Sequence, residues 1–358
     1  VGCLQHRGEY LFVAEGERGM QVYDIANVAN KGFSQRIVSS PFSPLGHDTR
    51  IESANATCVV LPTTQPIQPS RNQGDLMRKV NLEQPFHPLY QYAYILDAEE
   101  GLIVTDIDTL MDGEPRNNFL ERALTWNEEG VLDGARHMTL GGYYAYVIAD
   151  AGLVVLNIDQ PLAPKLEAVL PLNNGHSLAQ QFRYLFVTDA DGLKVVDITQ
   201  PTEPRLVEGA LVPMPEARRL HLARTYAYVA AGSEGLAIID IEKPEQPRLL
   251  QTFNDGLVDS QDVTVASTNA SLFAYVADGD GGLKVIQLTA PDSQPKFYGF
   301  SPEPQPELIA TYPTGSKAMS LSRPLERDRG VDETGGQIAV FGRVGSRPLN
   351  LEEMQRLY

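Results

Sequence analysis

Aromatic and β-branched residues alternate with other side chains over short stretches of this chain, and each stretch runs into an acidic turn closed by glycine. Six segments share this order: YLFVAEGERGMQVYDI (10–25), YAYILDAEEGLIVTDI (92–107), YAYVIADAGLVVLNI (144–158), YLFVTDADGLKVVDI (184–198), YAYVAAGSEGLAIIDI (226–241) and FAYVADGDGGLKVIQL (273–288). Each opens on an aromatic–x–aromatic–Val/Ile run and closes on Gly-Leu/Met-x-Val/Ile-x-Asp-Ile/Leu or a near variant. Such alternation predicts strands packed on both faces by neighbouring sheets. Gly19, Gly101, Gly152, Gly192, Gly235 and Gly282 stand where the chain must reverse, and glycine there predicts positive φ. Each segment is therefore a predicted hairpin.

Two further strands flank the hairpins. Before them lie short runs such as ARHMTL (135–140) and ARRLHL (217–222). After most of them comes a proline-bearing loop and an outer run: PLAPKLEAVL (161–170), PTEPRLVEGA (201–210) and KPEQPRLLQTF (243–253). Proline fixes φ in the loop and stops the preceding strand from running on. The turn glycines 152, 192, 235 and 282 are spaced by 40, 43 and 47 residues, the size of a four-stranded propeller blade. A single such sheet leaves two apolar faces bare, whereas stacking around an axis buries them. An open β-sandwich gives no reason for one sequence to recur six times. The expected fold is all-β, a β-propeller of four-stranded antiparallel blades, seven in number with the last one partial.

Two places break the repeat. Gly19 and Gly101 are 82 residues apart, and the intervening stretch 62–88 is rich in Pro, Gln and Asn. It reads as a long insertion within blade two; the alternative, a degenerate extra blade, lacks a Gly-Leu-x-Val-x-Asp core. Near the end, KAMSLS (317–322) resembles a first strand and QIAVFGR (337–343) a second, which supplies the partial seventh blade. Residues outside this chain could complete it. The expected organisation is one propeller domain over 1–350 and a tail over 351–358. Val1 stands almost at the first strand, so either a leader has been removed or the chain is a piece of a longer protein.

Composition narrows the function classes. Lys and Arg number 29 against 46 Asp and Glu, a net charge of −17, which repels nucleic-acid phosphates and anionic membranes and favours basic partners. No run of 18 apolar residues is present, so no transmembrane helix is predicted. Cys3 and Cys58, the only cysteines, do not make a disulfide framework. They fall on different strands of neighbouring blades, and at this level a bridge between them stays open. There is no CxxC, CxxCH, GxSxG, HExxH or P-loop, and the carboxylates form no recognisable acid/base pair.

The strand cores GLVVLNI (152–158) and GLKVVDI (192–198) resemble the LVIVD repeat, and the resemblance covers roughly residues 8–300. It implies a β-propeller of the kind found in bacterial and archaeal proteins, many of them secreted or on the cell surface. It carries no catalytic residues that could be transferred to this chain. Such propellers can also stand beside multihaem c-type cytochromes, but this chain has no haem-attachment motif, so haem would have to be carried by another segment or chain.

In a propeller the first strand of each blade lines the central channel. Alignment of the blades places Arg50, Arg136, His137, His176, Arg218, Arg219, Asp262 and Lys317 near the starts of first strands, where they would ring one mouth as a ligand-binding set. The turns Glu15, Glu17, Asp97, Asp150, Asp189, Asp191, Asp278 and Asp280 would form an acidic rim around them. Guanidinium groups suit carboxylates or phosphates; the plainer reading pairs these cations with the rim. His137, His176 and His221 come from consecutive blades, and three histidines can hold a metal. His137 and His221 occupy different columns of the repeat, however, so hydrogen-bonded histidines and no metal are expected. Asp189-Ala-Asp191-Gly and Asp278-Gly-Asp280-Gly look like calcium loops, but Gln200 and Thr289 stand where a twelfth-position Glu is needed, and turn chemistry explains them. Trp126, the only tryptophan, follows an outer strand as an exposed anchor or a packing residue. The resulting expectation is a non-catalytic scaffold or interaction module of an extracytoplasmic or cell-surface protein. It would bind a protein or anionic ligand at the channel mouth and need no cofactor of its own. The alternatives are an accessory domain of a multihaem electron-transfer assembly, or a lyase or hydrolase using the Arg/His cluster.

Overall fold

The computed structural model describes residues 2–7, 10–25, 40–41, 49–62, 88–110, 117–268, 271–290 and 301–322, with the backbone of 343–344 and 347–348. Blade one is β1 (Leu4–Arg7), β2 (Tyr10–Ala14), β3 (Met20–Asp24) and β4 (Arg50–Ile51). Blade two is β5 (Ala56–Val60), β6 (Tyr92–Asp97), β7 (Gly101–Asp106) and β8 (Glu121–Trp126). Blade three is β9 (His137–Gly141), β10 (Tyr144–Ala149), β11 (Gly152–Asn157) and β12 (Lys165–Leu170). Blade four is β13 (Ser177–Gln181), β14 (Tyr184–Asp189), β15 (Gly192–Asp197) and β16 (Arg205–Pro213). Blade five is β17 (Leu220–Ala223), β18 (Tyr226–Ala230), β19 (Leu236–Asp240) and β20 (Arg248–Phe253). Blade six is β21 (Asp262–Thr268), β22 (Ser271–Ala277), β23 (Leu283–Thr289) and β24 (Glu307–Tyr312). Every pair within a blade is antiparallel. A short hairpin, β25 (Arg343–Val344) with β26 (Arg347–Pro348), stands apart from the blades.

The period-two pattern sends successive side chains of one strand into different interblade cores. In β10, Ala145 and Val147 pack towards blade two, whereas Tyr146 and Ile148 pack towards blade four. The second aromatic of the repeat, Phe12, Tyr94, Tyr146, Phe186 or Tyr228, is at most 2% exposed, and burial of such a side chain contributes about 1.5–3 kcal/mol. Five apolar clusters result, one at each junction from blades one and two to blades five and six. Among the described residues no such cluster joins blades six and one. The equivalent aromatic of blade six, Tyr275, is only half-buried.

The turn glycines behave as the repeat requires. Gly192 has φ 138°, and a Cβ on it would stand 2.1 Å from the Val212 carbonyl oxygen and 2.7 Å from Met214 N. Only a residue without a side chain lets β15 start this close to the end of β16. A register shift between the third and fourth strands recurs in blades two to six, so the outer strand bends away at the same level each time.

The described residues form six four-stranded blades, not seven. The segment 317–322 makes one isolated bridge, Ala318 with Gly279, and no strand. Its alternating sequence has no ladder partner, and a run without a partner is not a sheet. The segment instead lies between blades six and one: Leu321 N donates to Asp262 Oδ2 at 2.9 Å, and Ser322 Oγ accepts from His6 N at 3.0 Å. The second-strand expectation over 337–342, the tail over 351–358 and residues 63–87 of the insertion lie outside the described residues. In the chain, β5 and β6 of blade two lie on either side of the stretch 63–87. Trp126 ends β8 and packs, partly buried, on the core between blades two and three.

Candidate functional site at the channel mouth

The inner strands β1, β5, β9, β13, β17 and β21 neighbour one another around the axis. They enclose a cavity whose wall includes Cys3, Cys58, His137, Arg219, His221, Asp262 and Leu321. Of the eight predicted site residues, His137, Arg219 and Asp262 face this cavity. Arg136, His176 and Arg218 sit just before inner strands, and Lys317 just before Ala318. Arg50 is a correction: it belongs to β4, the outer strand of blade one, because the inner strand of blade two starts only at Ala56.

Carboxylates meet these cations one by one, and Glu15, Asp150 and Asp280 of the predicted rim are among them. Arg50 pairs with Glu15 at 3.3 Å, Arg218 with Asp259 at 2.8 Å, Arg219 with Asp262 at 3.1 Å and Lys317 with Asp280 at 3.1 Å. Arg136 pairs with Asp150 and donates to Asn174 Oδ1 at 2.9 Å. His176 uses both ring nitrogens: Nδ1 donates to the Ala217 carbonyl at 2.7 Å and Nε2 accepts from Asn174 Nδ2 at 3.3 Å. His137, His176 and His221 do not come together as one ligand group among the described residues. Among the described residues the group that could hold a cation is Cys3, Cys58 and His137, whose ligand atoms lie within 4.8 Å of one another.

The two aspartate-rich turns work as turns. Asp278, fully buried, accepts from Val258 N at 2.9 Å, Asp259 N at 2.9 Å and Ser260 Oγ at 3.3 Å, fastening the approach to β21. Asp189, also fully buried, receives Lys194 Nζ at 2.6 Å, and Asp191 receives it at the same distance. Burial pulls the Lys194 ammonium down, but the two carboxylates outweigh that and hold it above its usual value. Asp97 repeats the clasp in blade two, accepting from Asn55 N at 2.5 Å and from Glu99 N and Glu100 N at 2.9 Å. Its carboxyl is pushed up by burial, yet these amides prevail and hold it below the usual range. The signal was present in the sequence as an acid three or four residues before the turn glycine, but the partners Asn55, Val258, Asp259 and Ser260 lie in the linkers before β5 and β21.

Cys3 and Cys58 form a disulfide with Cα atoms 4.5 Å apart. The residues around them explain the approach. Cys3 N donates to the Thr57 carbonyl at 2.9 Å, and a Cβ on Gly2 would stand 1.8 Å from that oxygen, so only glycine lets the N-terminal strand press on β5. The register of β5 against β6 shifts between Ala56 and Cys58. His137, the first residue of β9, is held from the far side, where Leu178 N donates to Nδ1 at 3.3 Å.

Six antiparallel four-stranded sheets arranged about an axial cavity define a β-propeller. The family model of the LVIVD repeat matches residues 5–37, 91–109, 134–168, 183–211, 216–255 and 259–298, more than half of the chain, and the protein belongs to the LVIVD-repeat family. No curated protein matches the sequence. Among solved structures, a protein from Lactobacillus plantarum is similar with TM-score 0.59 and 12% identity, over 85% of this chain and 82% of that one. The WD40 repeats of RRP9 are similar with TM-score 0.51 and 12% identity, over 89% and 82%. The β-propeller domain of Cps50 (Swd1) from Myceliophteria thermophila has TM-score 0.50 and 10% identity, over 90% and 89%. At these identities the likeness is one of fold.

Proposed function

We propose that this protein is a non-catalytic interaction module of an extracytoplasmic or cell-surface protein, docking a partner that presents carboxylates or another anionic group at the channel mouth. The observation that carries the reading is the state of the rim arginines. Arg136 and Arg218, just before inner strands, each meet a carboxylate while keeping 29% and 32% of the side chain exposed. A guanidinium has five donors, so an ion pair with one carboxylate leaves capacity for a second, incoming one. The propeller supports this as a rigid frame with loop-borne contacts. The Cys3–Cys58 disulfide supports the compartment, since disulfides persist in oxidising surroundings.

The test is an Arg136→Glu, Arg218→Glu double variant, checked for folding by circular dichroism. Its affinity for a fluorescent polyglutamate peptide is measured by anisotropy beside that of the parent. The expected result is loss of peptide binding, steeply salt-dependent in the parent. Equal binding by both proteins, or none by either, rejects the rim as the docking site.

A further inference from the structure

The geometry points to a redox-gated metal site in the axial cavity: with the Cys3–Cys58 bridge reduced, the two thiolates and the His137 imidazole hold one thiophilic d10 cation such as Zn2+. The three ligand atoms lie within 4.8 Å of one another. Ligands of a tetrahedral Zn2+ stand about 3.5–3.8 Å apart, so side-chain adjustments bring these atoms to ligating distance. They come from three successive blades, and the backbone positions each: Cys3 is held through the Thr57 carbonyl, Cys58 lies within β5, and His137 opens β9. Two soft sulfurs and an imidazole select zinc or cuprous copper over hard cations, whose ligands are oxygens.

Burial makes the cation the natural partner of the reduced state. Cys3 is 7% and Cys58 1% exposed, and both belong to the apolar cluster between blades two and three. Two uncompensated thiolates there would be costly, so without metal the reduced pair stays protonated. A divalent cation cancels their charge. The site opens on the cavity, which offers a fourth position to water or a ligand. Across the cavity Arg219 and Asp262 are already paired. With the metal on Nε2, the imidazole proton moves to Nδ1; the Leu178 N–H contact to that nitrogen is then given up, and the Ser177 hydroxyl, 3.5 Å away, becomes the acceptor.

The chemistry balances. A dithiol reductant gives two electrons and two protons, the Cys3–Cys58 bond breaks to two thiols, and the reductant closes to its own disulfide. Metal binding then forms two S–metal bonds and one N–metal bond and releases the two thiol protons. In the return step a disulfide oxidant accepts the two electrons and takes two protons from solvent to become a dithiol, the two S–metal bonds and the N–metal bond break, the Cys3–Cys58 bond re-forms and the cation leaves.

The test uses the full chain, reduced with dithiothreitol, desalted without oxygen and confirmed folded by circular dichroism. Zn2+ is titrated against a chromophoric chelator, and Co2+ serves as the spectroscopic probe. The expected result is one equivalent bound by the reduced protein, none by the oxidised protein, and a thiolate-to-cobalt charge-transfer band. His137→Gln, which leaves both cysteines in place, should weaken Zn2+ binding by about tenfold or more. No uptake by the folded reduced protein, uptake without the charge-transfer band, or unchanged affinity in the His137 variant overturns the assignment.

Discussion

Removing the Asp97 carboxylate should unfasten the approach to the inner strand of blade two. The side chain is fully buried and accepts three backbone amides, from Asn55, Glu99 and Glu100. In Asp97→Ala the amide of Glu99, an exposed residue, can turn to water, while Asn55 and Glu100 are only half-exposed residues. Two amides stripped of a charged acceptor cost about 3 kcal/mol in all. Asp97→Asn keeps one oxygen for the turn but turns an NH2 group on Asn55 N–H, for a loss of about 1.5 kcal/mol. The pH dependence has a definite sign. The folded pKa of Asp97 is lowered, so its contribution is complete above the unfolded value of about 3.9 and fades as pH falls through the folded value. The stability gap between parent and Asp97→Asn should therefore be constant at neutral pH and close in acid. Urea unfolding at several pH values measures the gap. Amide exchange at Asn55 and Glu100 reads the same 3 kcal/mol in the Ala variant as about 150-fold faster opening. An Ala variant within about 0.5 kcal/mol of the parent, or acid limbs that run parallel, would refute the clasp.

Three other outcomes are expected. Gly192→Ala puts a Cβ against the Val212 carbonyl at φ 138° and should cost about 3 kcal/mol or more in urea unfolding, whereas Gly142→Ala, with φ 62° and open space, should cost about 1 kcal/mol. Tyr228 is fully buried and its hydroxyl has no partner among the described residues, so Tyr228→Phe should leave the thermal midpoint unchanged or raise it, by up to about 1 kcal/mol of stability. Reducing the disulfide, which spans 55 residues of sequence, should lower the unfolding free energy by about 2–4 kcal/mol without loss of the β-sheet circular dichroism signal.

The parts legible in the sequence are those encoded locally. A hairpin needs an alternating run, a glycine and a second run, all within some sixteen residues of one another, and all six were visible as written. The blade count was not, because KAMSLS has the alternation of a strand, and whether it joins a ladder depends on a partner distant in sequence. Arg50 was misplaced for a related reason: β4 and β5 are separated by only four residues, and the repeat alone does not say where one blade ends. At the mouth, residue types and the level of the rim were readable, but the pairing partners were not. Cys3 and His137 lie 134 residues apart in the chain, and no spacing rule connects them; only the neighbouring inner strands do.

The ring contains no sheet assembled from both ends of the described chain. Every blade is finished by consecutive strands before the next begins, so each can dock on its predecessor in order, and the circle is completed last. Its final joint is made, among the described residues, by the amides of His6 and Leu321 meeting a serine and an aspartate rather than by oily packing, and the covalent staple sits one junction away, where it cannot hold that joint shut. Heat or denaturant should therefore enter between the last blade and the first, and the molecule should part there before any of its five greased junctions give way.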